Sequence, residues 1–214
     1  LPYGSSRAQG IVRDNRFYHA DMGITMAFPR GWTIENHRDR ILAYTKTKDA
    51  IMQVTAERRP EKESPREFLL KKLRGASFTR GEELTVNGME GYAVITRNGS
   101  PLDGGAGPVR WAVLYRGQSA FIFGGASRSA SSGRPADDGL FMSAIQTFRD
   151  LRPSEYPLAQ PYRIKVVQAT PGMRLEDYAK NVPVEKYKLE ELQLLNGIYP
   201  KGELKPGQYV KIIE

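Results

Sequence analysis

The stretch Glu82-Glu83-Leu84-Thr85-Val86-Asn87-Gly88-Met89-Glu90-Gly91-Tyr92-Ala93-Val94-Ile95-Thr96-Arg97 decides the fold class. Two runs containing β-branched and aromatic residues flank Asn87-Gly88. That dipeptide tolerates positive φ at both central positions of a two-residue turn, so it is the strongest short hairpin signal. The stretch predicts antiparallel strands over 82–86 and 89–97. A second hairpin follows, with strands at 109–115 and 120–124 around Arg116-Gly117-Gln118. The Gly-rich residues 98–107 between the two hairpins predict a loop.

Working outward, residues 127–134 are small and polar and predict a loop. Asp137 or Asp138 then caps a helix that buries Leu140, Phe141, Ala144, Ile145 and Phe148 along one face. Upstream, Ser64-Pro65-Arg66-Glu67 predicts a helix start, with Ser64 as cap, Pro65 in the first turn and Glu67 completing a capping box. Phe68, Leu69, Leu70 and Leu73 form its apolar face, and Gly75 ends it. Strands are predicted at 41–45 and 51–56 around a polar turn at 46–49. Alternating Ile24, Met26 and Phe28 predict another strand, followed by a Gly31-Trp32 turn whose aromatic plugs the core. The fold class is α+β: an antiparallel sheet of about six or seven strands with two covering helices.

Arg152-Pro153-Ser154-Glu155-Tyr156-Pro157-Leu158-Ala159-Gln160-Pro161 places three prolines in one short stretch and predicts a linker that is neither helix nor central strand. It divides residues 13–152 from a second unit at 162–214, with 153–161 as Pro-rich linker and 1–12 as linker from a preceding region. The second unit reads strand 163–167, helix 175–180, helix 189–195 and strand 209–213, a small βααβ domain. Asn196-Gly197 stops its second helix, and Pro206-Gly207 suits a type II turn. The opening Leu1-Pro2-Tyr3-Gly4-Ser5-Ser6-Arg7 has neither Met nor an apolar signal region, so we expect the chain to be the middle of a longer one.

With 40% hydrophobic and 26% charged residues, the 214-residue chain has the composition of a packed globular protein. No apolar run reaches the roughly 20 residues of a membrane-spanning helix. The net charge of +8 is spread along the chain with no run of five like charges, which argues against a nucleic-acid partner. Cysteine is absent, so disulfides, cysteine-zinc sites and thiol nucleophiles are excluded.

The chain carries two histidines, His19 and His37, and neither forms the His-Glu-x-x-His pattern of a zinc peptidase. There is no Gly-x-Ser-x-Gly nucleophile elbow. Gly104-Gly105-Ala106-Gly107 and Gly124-Gly125 lack the Lys-Ser/Thr ending of a phosphate loop and read as flexible hairpin loops. Asp137-Asp138 reads as a helix cap rather than a metal site. No catalytic, cofactor-binding or metal-ligating residue is assigned, and we expect this segment not to be an enzyme. Tyr44, Tyr92, Trp111 and Tyr115 are candidates for an aromatic groove, with cross-strand core pairing as the plainer account.

Residues 162–214 resemble the LysM family. The resemblance rests on Tyr162-Arg163-Ile164-Lys165-Val166, Pro171-Gly172, Leu175 with Tyr178-Ala179, Leu189-Glu190-Glu191-Leu192, Leu194-Leu195-Asn196-Gly197, and Leu204-Lys205-Pro206-Gly207-Gln208. It implies ligand contacts at Gly172, Met173, Arg174, Asn196, Gly197, Pro206 and Gly207, with Arg163, Lys165 and Tyr209 as further contacts to sugar or peptide stem. Two departures are clear. Gly172-Met173-Arg174 stands where the family carries Gly-Asp-Thr or Gly-Asp-Ser, and residues 182–188 lengthen the link between the helices.

Upstream, Phe17-Tyr18-His19, Met22-Gly23-Ile24, Phe28-Pro29 and Gly31-Trp32 resemble the start of a PsbP-like α+β domain. The order of the two units is similar to the C-terminal, non-peptidase region of bacterial HtpX-like zinc-dependent periplasmic metallopeptidases. That resemblance implies an accessory segment in the periplasm or cell envelope, with zinc only in a peptidase domain outside these residues. The implied partners are proteins, including that peptidase domain, or peptidoglycan.

Overall fold

A computed structural model describes residues 2–3, 10–79, 81–102, 104–184 and 186–214. Its first strands are β1 (Pro2–Tyr3), β2 (Ile11–Arg13), β3 (Arg16–His19), β4 (Ile24–Ala27), β5 (Thr33–Asn36), β6 (Ile41–Tyr44) and β7 (Ala50–Arg58). Helix α1 (Pro65–Lys72) precedes β8 (Glu82–Val86), β9 (Met89–Thr96), β10 (Val109–Arg116) and β11 (Ser119–Ser127). Then come β12 (Ala130–Ser131), β13 (Arg134–Pro135), α2 (Asp138–Gln146), β14 (Arg149–Asp150) and a 3-10 segment over Pro153–Ala159. The chain closes with β15 (Tyr162–Gln168), α3 (Leu175–Ala179), α4 (Lys188–Leu195) and β16 (Tyr209–Ile213).

The architecture is mixed α+β, dominated by antiparallel sheets with few helices. The main sheet has seven strands in the order β5-β6-β7-β11-β10-β9-β8. Asn87 at φ 48° and Gly88 at φ 83° make the two-residue turn that sets Val86 opposite Met89. The Gly117-Gln118 turn sets Arg116 opposite Ser119, and the strands run to Ser127, beyond the sequence-based end at 124. Alternation then assigns the two faces. One carries Tyr92, Val94, Val113, Tyr115 and Ile122 beneath Phe68 and Leu69 of α1. The other carries Met52, Val54, Ala112, Leu114, Phe121 and Phe123.

The second face is covered differently from the expectation. The alternating residues 24, 26 and 28 do not extend the main sheet. Ile24 and Met26 belong to a separate four-stranded sheet, β14-β4-β3-β2, which with Phe28 just past β4 lays Phe17, Ile24, Met26 and Phe28 on the main core beside Phe141, Ile145 and Phe148. Alternation reveals which side chains are buried but not which strand is the neighbour, so one sheet was expected where two pack together. Trp32 does plug this core, edge-on to Phe141 at 6.1 Å between ring centroids.

Several local expectations change. Residues 127–134, expected as loop, contain the β12–β13 hairpin, because Ser132 at φ 52° and Gly133 at φ 74° close a two-residue turn. Leu140 is 45% exposed, on the outer side of α2. Asp137 sits at the N-cap but makes no side-chain cap; its carboxylate accepts from Ser127 Oγ at 2.8 Å. Gly124 and Gly125 are mid-strand residues of β11, not a flexible loop. The Ser64–Glu67 capping box forms as expected, and the Ser64 amide holds the Glu67 carboxyl below its ordinary range.

Two stretches read as linker take part in sheets or packing. Ile11 is buried in β2, and β1 pairs with β15. Residues 1 and 4–9 lie outside the described residues. The Pro-rich stretch forms a 3-10 segment, which tolerates Pro153 in its first turn where no amide donor is required. Ala159 is buried with Tyr18, Ala20 and Leu151, and Arg13 Nη2 donates to the Gln160 carbonyl at 2.7 Å.

Arg149 clamps this segment. Its two terminal nitrogens each donate to a Glu155 carboxylate oxygen at 2.7 Å. The Arg149 contact holds the Glu155 carboxyl down at about 2, from 4.5. A lowered folded-state value gives stability that is present above the unfolded value and lost as pH falls through the folded one. Glu155→Gln is therefore expected to melt lower than the natural chain at neutral pH. The gap should close between about pH 4.5 and about pH 2. Melting curves across that window check it; a gap that does not change with pH would mean the clamp is electrostatically idle.

Candidate functional site

The C-terminal unit is a three-stranded sheet, β1-β15-β16, with α3 and α4 packed on it. Leu175, Ala179, Val182, Leu192, Val210 and Ile213 form its buried core. Tyr3 of β1 donates its hydroxyl to Glu191 of α4, and that contact pushes the phenol up to about 12. The first helix has Arg174 at its N-cap, and the Arg174 amide donates to Asp177 Oδ2 at 3.1 Å. Lys180 holds the same carboxylate at 2.7 Å, and the Asp177 carboxyl lies below its ordinary range, first through that Lys180 contact.

The sequence-based ligand residues fall into two groups. Gly172, Met173, Arg174, Gly197, Pro206 and Gly207 are exposed in turns. The Gly207 amide donates to the Ala169 carbonyl at 3.2 Å, so the Pro206-Gly207 turn lies beside the entry to the Gly172-Met173-Arg174 turn. Asn196 is different. Its Nδ2 donates to the carbonyls of Leu192 at 2.8 Å and Lys211 at 2.9 Å, while its Oδ1 accepts from the Lys211 amide at 2.8 Å. Asn196 staples α4 to β16, with both ends of its amide already engaged. Gln208 is likewise engaged, with Oε1 accepting from the Lys205 amide at 3.0 Å. In the link 182–188, Tyr162 donates to the Pro183 carbonyl at 2.8 Å, and residue 185 lies outside the described residues.

Among its exposed charged residues, this unit also presents large aromatic and apolar side chains outward. Tyr187 is 71% exposed, Tyr199 55% and Tyr209 72%, with Leu194, Val166 and Met173 also exposed. Tyr187 and Tyr199 went unnoticed in the sequence because neither stands in a recognisable pattern. Arg163 and Lys165 are also exposed, and Lys165 pairs with Glu214 at 3.0 Å.

The four aromatic-groove candidates share one face of the main sheet, but helix α1 divides them. Tyr92 and Tyr115 are buried beneath it, with Tyr115 edge-on to Phe68 at 5.9 Å. Burial pushes the Tyr115 phenol up to about 12. Tyr44 donates to Glu35 Oε1 at 2.5 Å. Trp111 alone borders a trough of about 410 Å³ with Arg40, Gln53, Pro101 and Gly124. Its ring lies so close to the backbone that a Cβ at Gly124 would sit 2.9 Å from it. The groove is therefore a core layer for Tyr92 and Tyr115, and a trough only at Trp111.

His19 and His37 line one cleft, but each ring is engaged. The Met22 amide donates to His19 Nδ1 at 3.2 Å, and His37 Nε2 lies 3.0 Å from Glu35 Oε2. Among the described residues, no three His, Cys, Asp or Glu side chains gather to hold a metal ion. Asp138, read as a cap, instead forms a two-pronged ion pair with the buried Arg110. No helix among the described residues is long and apolar enough to cross a membrane.

No family model matches the chain, and no curated protein matches it. Among solved structures, it is similar to the solution structure of cyanobacterial PsbP (CyanoP) from Synechocystis sp. PCC 6803, at 11% identity and a TM-score of 0.44. That match covers 66% of this chain and 95% of the other. A 1.50 Å crystal structure of a protein from Bacteroides thetaiotaomicron VPI-5482 matches at 12% identity and a TM-score of 0.37, over 95% of this chain and 87% of the other.

Proposed function

We propose that this chain is a non-catalytic interaction segment of a cell-envelope protein, positioning a protein partner through its C-terminal unit. The observation that carries the reading is the outward set Tyr187, Leu194, Tyr199 and Tyr209, all more than half exposed within the 53 residues 162–214. Rigid aromatic side chains are what protein interfaces use as anchors. The sequence resemblance extends the proposal. The parent would be an HtpX-like zinc-dependent metallopeptidase of the periplasm, with zinc in its peptidase domain and this segment holding substrate or partner beside it.

A second reading is peptidoglycan binding by a LysM-like module. It is favoured by exposed Tyr209 next to the Pro206-Gly207 turn, where an aromatic face meets exposed backbone. Against it stand Asn196, whose amide is spent on α4 and β16, and the Met173-Arg174 pair in the first turn.

One experiment separates them. A photo-crosslinking residue replaces Tyr187, Tyr199 or Tyr209 in the full-length protein in its own envelope, with Glu83 as control position. Discrete protein adducts at the tyrosine positions, absent at Glu83, are expected. In parallel, the chain should not be retained on purified sacculi, whereas Met173→Asp/Arg174→Thr tests whether a restored turn is. Retention of the natural chain together with glycan adducts would replace the first reading with the second. No adduct of either kind would overturn both.

A further inference from the structure

A cleft of about 360 Å³ opens on the side of the molecule where β3 and β4 meet the main sheet. Its floor is hydrocarbon, built from Phe17, Ile24, Met26, Val54, Phe121 and Phe148. Its mouth is ionic. The connection between β5 and β6 supplies His37, Arg38, Asp39 and Arg40, and β3 supplies His19. The volume lies within the usual range of small-molecule sites, which pair apolar walls with a few placed polar groups.

The charge at the mouth is unbalanced. Arg40 lies 3.8 Å from Asp39, an exposed and loose pair in which the Asp39 side chain is 74% accessible. Such a pair holds little energy and yields readily to a better partner. Arg38 adds a second guanidinium on the same short connection. Glu35 does not line the cleft, and its two oxygens are engaged by Tyr44 and His37. Two guanidiniums beside an apolar floor match a carboxylate head, which planar guanidinium groups bind in two-pronged fashion, joined to an aliphatic tail.

We infer that this cleft binds amphipathic anions, specifically alkyl carboxylates, with the tail on the floor and the head at Arg38 and Arg40. Ala56 is exposed at the open end of the floor, where a larger side chain would fill the space without entering the buried core. Nothing in this site overlaps the C-terminal tyrosines, so its failure would leave the proposed interaction role standing, and the reverse.

The test is titration of the isotope-labelled full chain with decanoate below its aggregation concentration, followed by amide NMR. Decanol and decyltrimethylammonium serve as neutral-head and cationic-head probes. Saturable one-to-one shifts at Met22, Asn36 and Ala56 are expected with decanoate. Arg38→Glu/Arg40→Glu should weaken it at least tenfold and leave decanol unchanged. Ala56→Trp should abolish decanoate binding with both arginines intact. Because Arg38 and Arg40 are exposed, the charge variant tests the site even if Ala56→Trp misfolds. Equal affinity for decanol or for the cation, an unchanged affinity in the charge variant, shifts centred on Trp111 or Tyr209, or no saturable shift would each overturn the inference.

Discussion

Asp138→Ala is expected to lower the unfolding free energy by about 3–5 kcal/mol, because it strips the partner from a buried charge. Arg110 lies on β10 inside the main sheet and its side chain is only 4% accessible. Its Nε donates to Asp138 Oδ1 at 2.6 Å and its Nη2 donates to Oδ2 at 2.8 Å. Arg134 reaches the same carboxylate at 3.4 Å, but it is exposed and cannot follow Arg110 into the core. Glu82 lies 3.6 Å from Arg110 Nη1 and is 60% exposed, too solvated to replace the lost carboxylate. Removing both charges together is a different matter, since an apolar pair of similar volume avoids the desolvation cost. Arg110→Met/Asp138→Ala should therefore recover most of the loss. Asp137→Ala, one residue earlier, gives up only its hydrogen bond from Ser127 and should cost about 1 kcal/mol. Urea unfolding followed by tryptophan fluorescence reads the right part of the chain, because Trp32 and Trp111 both pack on the α/β core. A loss below about 1 kcal/mol for Asp138→Ala would mean that water reaches Arg110 and the pair is not a buried one.

That ion pair also marks where sequence reasoning stops. Hairpins and capping boxes are local, so Asn87-Gly88 and Ser64-Pro65-Arg66-Glu67 could be read directly. The role of Asp138 was not local. Its partner stands 28 residues earlier, in a run whose apolar neighbours gave the one available hint, a lone arginine at position 110 inside a buried strand. The same limit explains the second sheet. Ile24, Met26 and Phe28 declared themselves buried, but the choice between joining the main sheet and packing on its face depends on tertiary contacts. For the candidate site, the turns at 172 and 207 were legible from their glycines, both at positive φ. The engagement of Asn196 was not, because a residue that stops a helix and a residue that staples two elements are written with the same letter. The cleft at Arg38 and Arg40 left no motif at all. It exists because a sheet crosses another sheet, and only the tertiary fold brings Phe121 and Phe148 to the same cleft as those arginines.

The adjacent glycines of β11 carry the second large prediction. Gly124 and Gly125 point to opposite faces of the main sheet, and each admits an aromatic ring against the backbone: Trp111 at Gly124 and Phe141 at Gly125. Phe141 is fully buried on α2, so this contact sets how closely the helix approaches the sheet. A Cβ at Gly125 would lie 2.5 Å from the Phe141 ring, and the ring has little room to yield because Trp32 stands edge-on to it. Phe141→Ala is expected to cost about 3–5 kcal/mol, combining lost burial with a cavity. Gly125→Ala alone should cost about 1–3 kcal/mol through overpacking. The double variant decides the mechanism. If the ring and the backbone share one space, the new methyl occupies part of what the ring vacated, and the double variant is less destabilised than the two losses added together. If the losses simply add, α2 has shifted away from β11 to admit the methyl, and the glycine serves the strand rather than the helix.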